Sequence, residues 1–422
     1  MRKRLPSHQM RRAASTMPQC TTLSNGIRVV TDQVPFVRSV ALGVWLDCGS
    51  RDDTLPGTAH VLEHVVFRRS RRYSGTERSR VVESLGAYLN AATTKEQTYY
   101  YVRGLAEHFE RLADVLVELA FAPAFTRADV EKERRIVAEE IRSYDDDPEE
   151  VVCDRLDELL FGSHPLARPI AGTLETLGEI TPAVLADFHR QQYIGHRCVV
   201  VASGPLEHER VVEVVARLAE RWNVPAGSTS AATDRPPRKR PPRRVRIERT
   251  FQQAHCAFGI RTDGARSKER HALALLNVLL GDSASSRLYR RVRERRALAY
   301  AVYSSLQLWS DCGELTVYAG IKTDRTDEAI AAIEDEIARL VSVPPTAAEF
   351  SRARQQLRSS LLMSTESLSA RMHAIAHMVL VEGQLQPLEA IVSAVEDVTL
   401  DEVRQVARRY GQVEQWSQVL CQ

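Results

Sequence analysis

Apolar and polar positions follow two periods along this chain, and the switches between them mark the elements. TTLSNGIRVVTD carries an Asn25-Gly26 turn between two short runs, the signature of a hairpin, and SVALGVWLDCGS reads as a buried strand. GTAHVLEHVVF then changes period. Gly57 and Thr58 stand where a helix begins, and Leu62, Val65 and Val66 recur with helical spacing. TERSRVVESLG is a second helix stopped at Gly86, and YLNAATTKEQTYYYVRGL is two strands about a polar turn. HFERLADVLVELAF and RADVEKERRIVAEEIRSY are long helical patterns, the latter broken by the acidic run DDDPEE. A helix (ITPAVLADFHRQQY), a strand (HRCVVVASG) and a helix (EHERVVEVVARLAERW) complete the first half.

Residues 225–244, PAGSTSAATDRPPRKRPPRR, are poor in apolar residues and rich in proline, and read as a linker. Beyond it the pattern begins again: strand-like RVRIERTFQQAHCAFGI, helix-like ERHALALLNVLLG and SSRLYRRVRERR, then strand-like ALAYAVYSSLQLW and GELTVYAGI. The closing third (TDEAIAAIEDEIARLV, TAAEFSRARQQLRSSLLMSTES, LDEVRQVARRY) is mostly amphipathic helix. Order and size repeat the first half, which points to an internal duplication. The expected organisation is a flexible basic N-terminus over 1–19, a domain over 20–224, the linker, and a homologous domain over 245–422. Each domain reads as an α+β or α/β layer with helices covering a sheet.

Composition narrows the function classes. With 422 residues, 44% hydrophobic and 27% charged, the chain has the balance of a globular protein of several domains. A net charge of +2 gives no reason to expect nucleic acid or an anionic membrane as partner. Local basic runs at Arg2, Lys3 and Arg4, at 68–72 and at 235–244 read as solvated faces. Seven scattered cysteines, none in CxxC, argue against a disulfide framework and against a cysteine-held metal. No apolar run is long enough for a transmembrane helix. The first 16 residues are basic and acid-free with no apolar signal core, which fits a disordered bacterial N-terminus or a cleaved organellar presequence. GDSAS at Gly281 has neither the Walker lysine nor the dinucleotide pattern, and no G-x-S-x-G is present.

HVLEH places His60 and His64 one helical turn apart, so both imidazoles share a face. Glu63 lies beside them and can reach a water held there without being a ligand. Imidazoles and a carboxylate suit zinc, whose catalytic sites use three protein ligands and leave a fourth position for water. The third ligand is sought in VEKERRIVAEEI, where Glu133, Val137 and Glu140 share a face at i, i+4 and i+7. That spacing favours Glu140 over Glu139 without deciding between them, and makes Glu133 a carboxylate that orients a histidine. Taken one at a time, each of these side chains could equally sit on a solvated helix face.

With both glutamates in register, the chain resembles the inverzincin metallopeptidases of the insulinase and pitrilysin type, which carry HxxEH in place of HExxH. In that family the third zinc ligand is a glutamate some 76 residues after the second histidine, with a further glutamate seven before it; Glu140 and Glu133 stand there. TLSNGIRVV, LGVWLDCGSRDD and SHPLARPIAGT also match family stretches. GAYLNAATTKEQTYYY resembles the segment that supplies an edge strand and an asparagine near zinc, which implies Asn90, with Ala91 and Thr93, as peptide-binding positions. GDSASSRLYRRVRERRALAY resembles the C-terminal motif whose arginine and tyrosine steady the substrate carbonyl, here Arg293 and Tyr300. Two positions depart from the family pattern. Arg68-Arg69 follow Phe67 in place of lysine-glycine, and Ala297 replaces a glycine.

The match covers about residues 20–420 and corresponds to a short, two-domain form similar to the beta subunit of mitochondrial processing peptidase and its bacterial homologues. It implies an α+β fold of two homologous domains, each a largely antiparallel sheet covered by helices, assembling as a clam-shell dimer. One chain's metal site would face Arg293 and Tyr300 of the other. The implied activity is zinc-dependent endopeptidase hydrolysis of unfolded peptides or leader segments, with one zinc per chain and Glu63 as general base. A homodimer is expected; a heterodimer with a related chain, and a non-catalytic partner-subunit role, stay open. The expected compartment is the bacterial cytoplasm rather than the mitochondrial matrix.

Overall fold

Runs rich in Val, Ile and Tyr with a period of two assemble into two sheets, and the repeated sequence pattern becomes a repeated topology. The structure, a computed structural model, describes residues 17–227, 236–249 and 251–422. The basic residues Arg2, Lys3 and Arg4, the rest of the N-terminus over 1–16, and linker residues 228–235 lie outside the described residues. The first sheet comprises β1 (Gln19–Thr22), β2 (Arg28–Gln33), β3 (Ser39–Leu46), β4 (Tyr88–Thr93), β5 (Thr98–Leu105) and β6 (Cys198–Gly204). Their order is β1-β2-β6-β3-β5-β4. The second comprises β7 (Arg244–Ile247), β8 (Ala254–Thr262), β9 (Ala299–Leu308), β10 (Gly313–Ile321) and β11 (Ser417–Cys421), ordered β7-β11-β8-β10-β9. Gln19 and Arg244, expected at the ends of the N-terminus and the linker, are thus the first residues of strands.

Among the described residues only β2 with β6 and β7 with β11 pair in parallel; the other pairs are antiparallel. Laying β7-β11-β8-β10-β9 over β2-β6-β3-β5-β4 preserves order and chain direction, so the second domain repeats the first without β1. The two free edges that correspond are β4 and β9. Both domains are mixed α+β layers.

The helices that shape the site all belong to the first domain: α1 (Thr58–Val66), α2 (Gly75–Ser84), α3 (Phe109–Phe121), α4 (Arg127–Asp146) and α5 (Pro148–Phe161). In α3 the stripe Phe109, Leu112, Leu116 and Leu119 is buried in the core with Val40, Leu42 and Val102 of the sheet. The acidic run that breaks α4 also starts α5. Asp147 caps it and Pro148 opens it, where proline's missing N–H costs no intrahelical bond. Val152, Leu156, Leu159 and Leu160 of α5 pack with Ala257 of β8 and Val419 of β11, so α5 joins the two domains.

A second bridge runs the other way. Met372, Ile375 and Ala376 of the helix Leu368–His377 pack on Val30, Trp45, Val199 and Val201 of the first sheet. Beside them Arg371 donates two hydrogen bonds to the buried Asp32 carboxylate, both at 2.6 Å. Arg51 forms a further clasp, donating to Glu96 at 2.7 Å and to both oxygens of Asp311 at 2.9 and 2.6 Å. SSRLYRRVRERR differs from expectation in detail, forming a π-helical turn at Tyr289–Arg295. Ala297 follows with φ of 48°. A left-handed alanine costs about 1–2 kcal/mol that glycine does not, so this departure from the family pattern falls where glycine would be unstrained.

Candidate metal centre

The sequence before α1 fixes where that helix starts. Both oxygens of the buried Asp53 carboxylate accept backbone N–H groups, from Gly57 at 2.8 Å and Ala59 at 2.9 Å. Gly57 has φ of 91°, and a Cβ there would lie 2.6 Å from Ala171 O. Ala59, Val61, Leu62, Val65 and Val66 are buried, which leaves His60, Glu63 and His64 together on the remaining stripe. In α4, capped by Thr126, the buried Val130, Val137 and Ile141 seat the helix against the core. That seating turns Glu133 and Glu140 toward α1.

His60, His64 and Glu140 each offer one ligand atom, all within 4.8 Å of one another. Glu140 Oε2 lies 3.8 Å from His60 Nε2 and 3.6 Å from His64 Nε2, beyond good hydrogen-bonding length. Two nitrogen or oxygen ligands about 2.0–2.1 Å from one tetrahedral ion stand roughly 3.3–3.5 Å apart, so the cluster is close to the size zinc requires. Glu139, the alternative ligand, is exposed and pairs with Arg142. His60 Nδ1 is buried without a hydrogen-bond partner. On the far side of His64, Glu133 Oε2 lies 3.3 Å from Nδ1, and Arg68 Nε donates to the other oxygen of Glu133. This carboxylate, nearly fully buried, is thus aimed at the imidazole by the arginine.

The electrostatics keep one ligand ring neutral and surround the other with carboxylates. Burial, and then the neighbouring His64, pull the His60 pKa down to about 4, keeping the ring neutral. Burial also opposes charge on His64, but the hydrogen bond to Glu133 and the carboxylates of Glu140 and Glu63 outweigh it and raise its pKa. Glu133 resists its own burial through its bonds to His64 and Arg68, which hold it below the ordinary carboxylate range. Burial raises Glu63, partly offset by the hydrogen bond that Thr93 Oγ1 donates to its Oε2 at 2.8 Å.

His60 and Glu63 line a cleft of about 1130 Å³ between the two domains, together with Ala91 and Thr93 of β4. Asn90 does not line it. Its side-chain amide donates to Tyr88 Oη at 3.0 Å, and the residue is exposed on the outer strand. Arg293 and Tyr300 do not line it either: the Arg293 guanidinium stacks over Tyr289, 5.0 Å from the ring centroid, and Tyr300 is 58% exposed on edge strand β9. Within one chain, then, the expected metal ligands and base come together, and the expected carbonyl-binding pair stays apart from them.

Arg68 and Asp53 are the neighbours that sequence reasoning passed over. The run 68–72, read as solvated, is largely paired: Arg68 with Glu133, Arg69 with Asp129, and Arg72 with Asp114 and Glu118. One signal was available, because Arg68 continues the spacing of His60 and His64 by one more helical turn. Replacing Glu133 by Gln should lower zinc affinity by about 10–100-fold, since outer carboxylates raise histidine basicity and fix its orientation. Competition against a chelator measures this; an unchanged affinity would remove Glu133 from the site.

Known proteins share the sequence pattern and the fold of this chain. The family model for insulinase (peptidase family M16) matches residues 28–174, and that for the peptidase M16 inactive domain matches residues 179–357. An uncharacterized zinc protease of Mycobacterium tuberculosis is 37% identical over 414 residues, covering 94% of this chain and 93% of its own. The mitochondrial-processing peptidase subunit beta of Lentinula edodes is 29% identical over 410 residues, covering 93% and 87%. A crystal structure of a peptidase M16 inactive domain from Pseudomonas fluorescens superposes with a TM-score of 0.90 at 19% identity over 96% of this chain and 97% of that one, a likeness of fold. The chain therefore belongs to the insulinase family of peptidases, M16.

Proposed function

We propose that the chain is a zinc-dependent endopeptidase that cuts internal bonds of unfolded peptides held in extended form in the interdomain cleft. One observation carries this reading: three metal-ligand side chains and an adjacent carboxylate converge from α1 and α4 beside a cleft edged by a strand with a free side. His60, His64 and Glu140 hold the ion. Zinc in such a site supplies a Lewis acid for the carbonyl oxygen and lowers the pKa of water to about 7. Glu63 accepts a proton from the attacking water and delivers it to the leaving amine, a double task that its raised pKa favours. Glu133 and Arg68 keep His64 in place. The free side of β4, with Ala91 and Thr93 on the cleft wall and Asn90 beside them outside it, pairs with the peptide backbone and leaves side-chain choice to the cleft wall.

That wall is acidic, with nine Asp and Glu side chains against three Lys and Arg. Cationic unfolded peptides suit it, and their capture weakens with salt as the attraction is screened. The test is mass-spectrometric profiling of a peptide library. Internal cleavages that stop on chelation, return with zinc and slow for cationic peptides at high ionic strength are expected; no zinc-dependent cleavage contradicts the reading.

Arg293 and Tyr300 act from the second chain of a dimer. Supporting this, both stand away from this chain's cleft while Tyr300 is exposed on β9. Mixing Glu63→Gln chains with Arg293→Ala chains should restore part of the activity through hybrid dimers. No recovery, once hybrids are shown to form, counts against action across the interface. The seven cysteines are free, which suits the cytoplasm, and no helix among the described residues is long and apolar enough to cross a membrane.

A further inference from the structure

The duplicated hairpins of the two domains meet turn to turn. With one sheet laid over the other, β9 and β10 correspond to β4 and β5, so the turn 309–312 repeats the turn 94–97. Each turn is closely approached by a glycine. A Cβ on Gly49 would lie 2.3 Å from Thr94 O, and one on Gly264 would lie 2.5 Å from Cys312 N. The backbone after Gly49 also bonds to its turn: Ser50 N–H donates to Thr94 O at 3.0 Å and Arg51 N–H to Lys95 O at 2.7 Å. Between the turns, Glu96 accepts the Ser310 N–H at 2.9 Å and the Ser310 hydroxyl at 2.7 Å, as well as the Arg51 guanidinium. Arg51 forks in turn onto Asp311. The side chains of Arg51, Glu96 and Asp311 are only 14, 13 and 10% exposed, so their charge-assisted bonds are little weakened by water.

The first of these turns lies at the end of β4 that holds the base. Thr93, the last residue of β4 and three before Glu96, donates its hydroxyl to Glu63. The helix that carries Glu63 is fixed separately, by Asp53 at its start and by its core face. As an edge strand β4 has a ladder on one side, and the turn holds its end. We propose that Glu96, Ser310 and Asp311 are positioning residues for peptide hydrolysis: by joining the two turns they set Thr93, and through it the Glu63 carboxylate, against the attacking water. This rests on the peptidase reading and gives the second domain a part in the reaction of its own chain. A reacting group displaced by about 1 Å can cost about 100-fold in rate, so a clamp remote from the metal can govern turnover. Lys95 Nζ, donating to Leu166 O at 3.1 Å and Arg168 O at 2.6 Å, ties the same turn to the first domain. The hairpin therefore keeps an anchor when Glu96 is replaced.

Steady-state kinetics of wild type, Glu96→Ala, Thr93→Val and the double variant on one unfolded peptide test it, with zinc content measured on each. Glu96→Ala should keep its zinc and lose about 10–100-fold in kcat with KM near wild type, since the aim of the base matters in the transition state. Thr93→Val should also lose kcat. Adding Glu96→Ala to it should cost nothing further, because the turn acts through Thr93. Losses that multiply, a change confined to KM, loss of zinc, or an unchanged kcat in Glu96→Ala overturns the proposal while leaving the peptidase reading intact. Should Glu96→Ala fail to fold, Glu96→Gln, equal in size, takes its place. Its amide N–H₂ must face one donor of the clamp, so a smaller loss of kcat is expected, again absent in the Thr93→Val background, and the same outcomes overturn the proposal. Wild type that binds zinc and cuts no peptide overturns both.

Discussion

Glu63→Gln should keep one zinc per chain and lose peptide hydrolysis by about 10²–10⁴-fold. The two halves of this result follow from separate features. Glu63 is not among the three clustered ligands, and its Oε2 is occupied by the hydroxyl of Thr93, a bond that glutamine's carbonyl oxygen can also accept. The amide has the size of the carboxylate but cannot take a proton from water near neutral pH. Zinc analysis and peptide turnover on the same sample measure both. Turnover near wild type would remove Glu63 as base, and loss of zinc would make it a ligand.

Arg371→Ala should destabilise the folded chain by about 3–5 kcal/mol, because it strands the Asp32 carboxylate in the interior. Asp32 is 1% exposed, and its two charge-assisted bonds to Arg371 join residues 339 positions apart. They anchor the helix Leu368–His377 of the second domain to the first sheet, so the loss is felt where the domains meet. The Asp32→Leu, Arg371→Met double variant should recover most of the stability, since replacing both partners removes the charge as well as the bond. Thermal unfolding at a fixed scan rate reads the difference as a midpoint shift on the order of 5–10 °C. A single variant that melts with wild type would show that water reaches Asp32 in solution.

What could be read from the chain beforehand follows the range of the forces involved. HVLEH and the Glu133–Val137–Glu140 stripe are set by helical period, a local property, and the structure brings their side chains together. The repeat of strands and helices was legible for the same reason. α5 was not, because PEEVVCDRLDELLF opens with acids that continue the run ending α4, and its apolar stripe faces the other domain. β11 is five residues long, yet following the duplication through would have found it: LDEVRQVARRY precedes β11 as ITPAVLADFHRQQY precedes β6. Arg68, Asp53 and Arg371 owe their roles to partners 65, 4 to 6 and 339 positions away. Periodicity hints at Arg68 alone; it reports nothing of the pairings of Asp53 and Arg371. Arg293 and Tyr300 are the limiting case, since the partner proposed for them is a second chain.

The most direct test of the account is a zinc titration of the metal-stripped protein while hydrolysis of one unfolded peptide is followed. Activity should rise in proportion to added zinc and break at one equivalent per chain, and Glu140→Gln should neither bind zinc tightly nor gain activity. Hydrolysis that ignores zinc, or a break that persists unchanged in Glu140→Gln, would contradict a centre built from His60, His64 and Glu140.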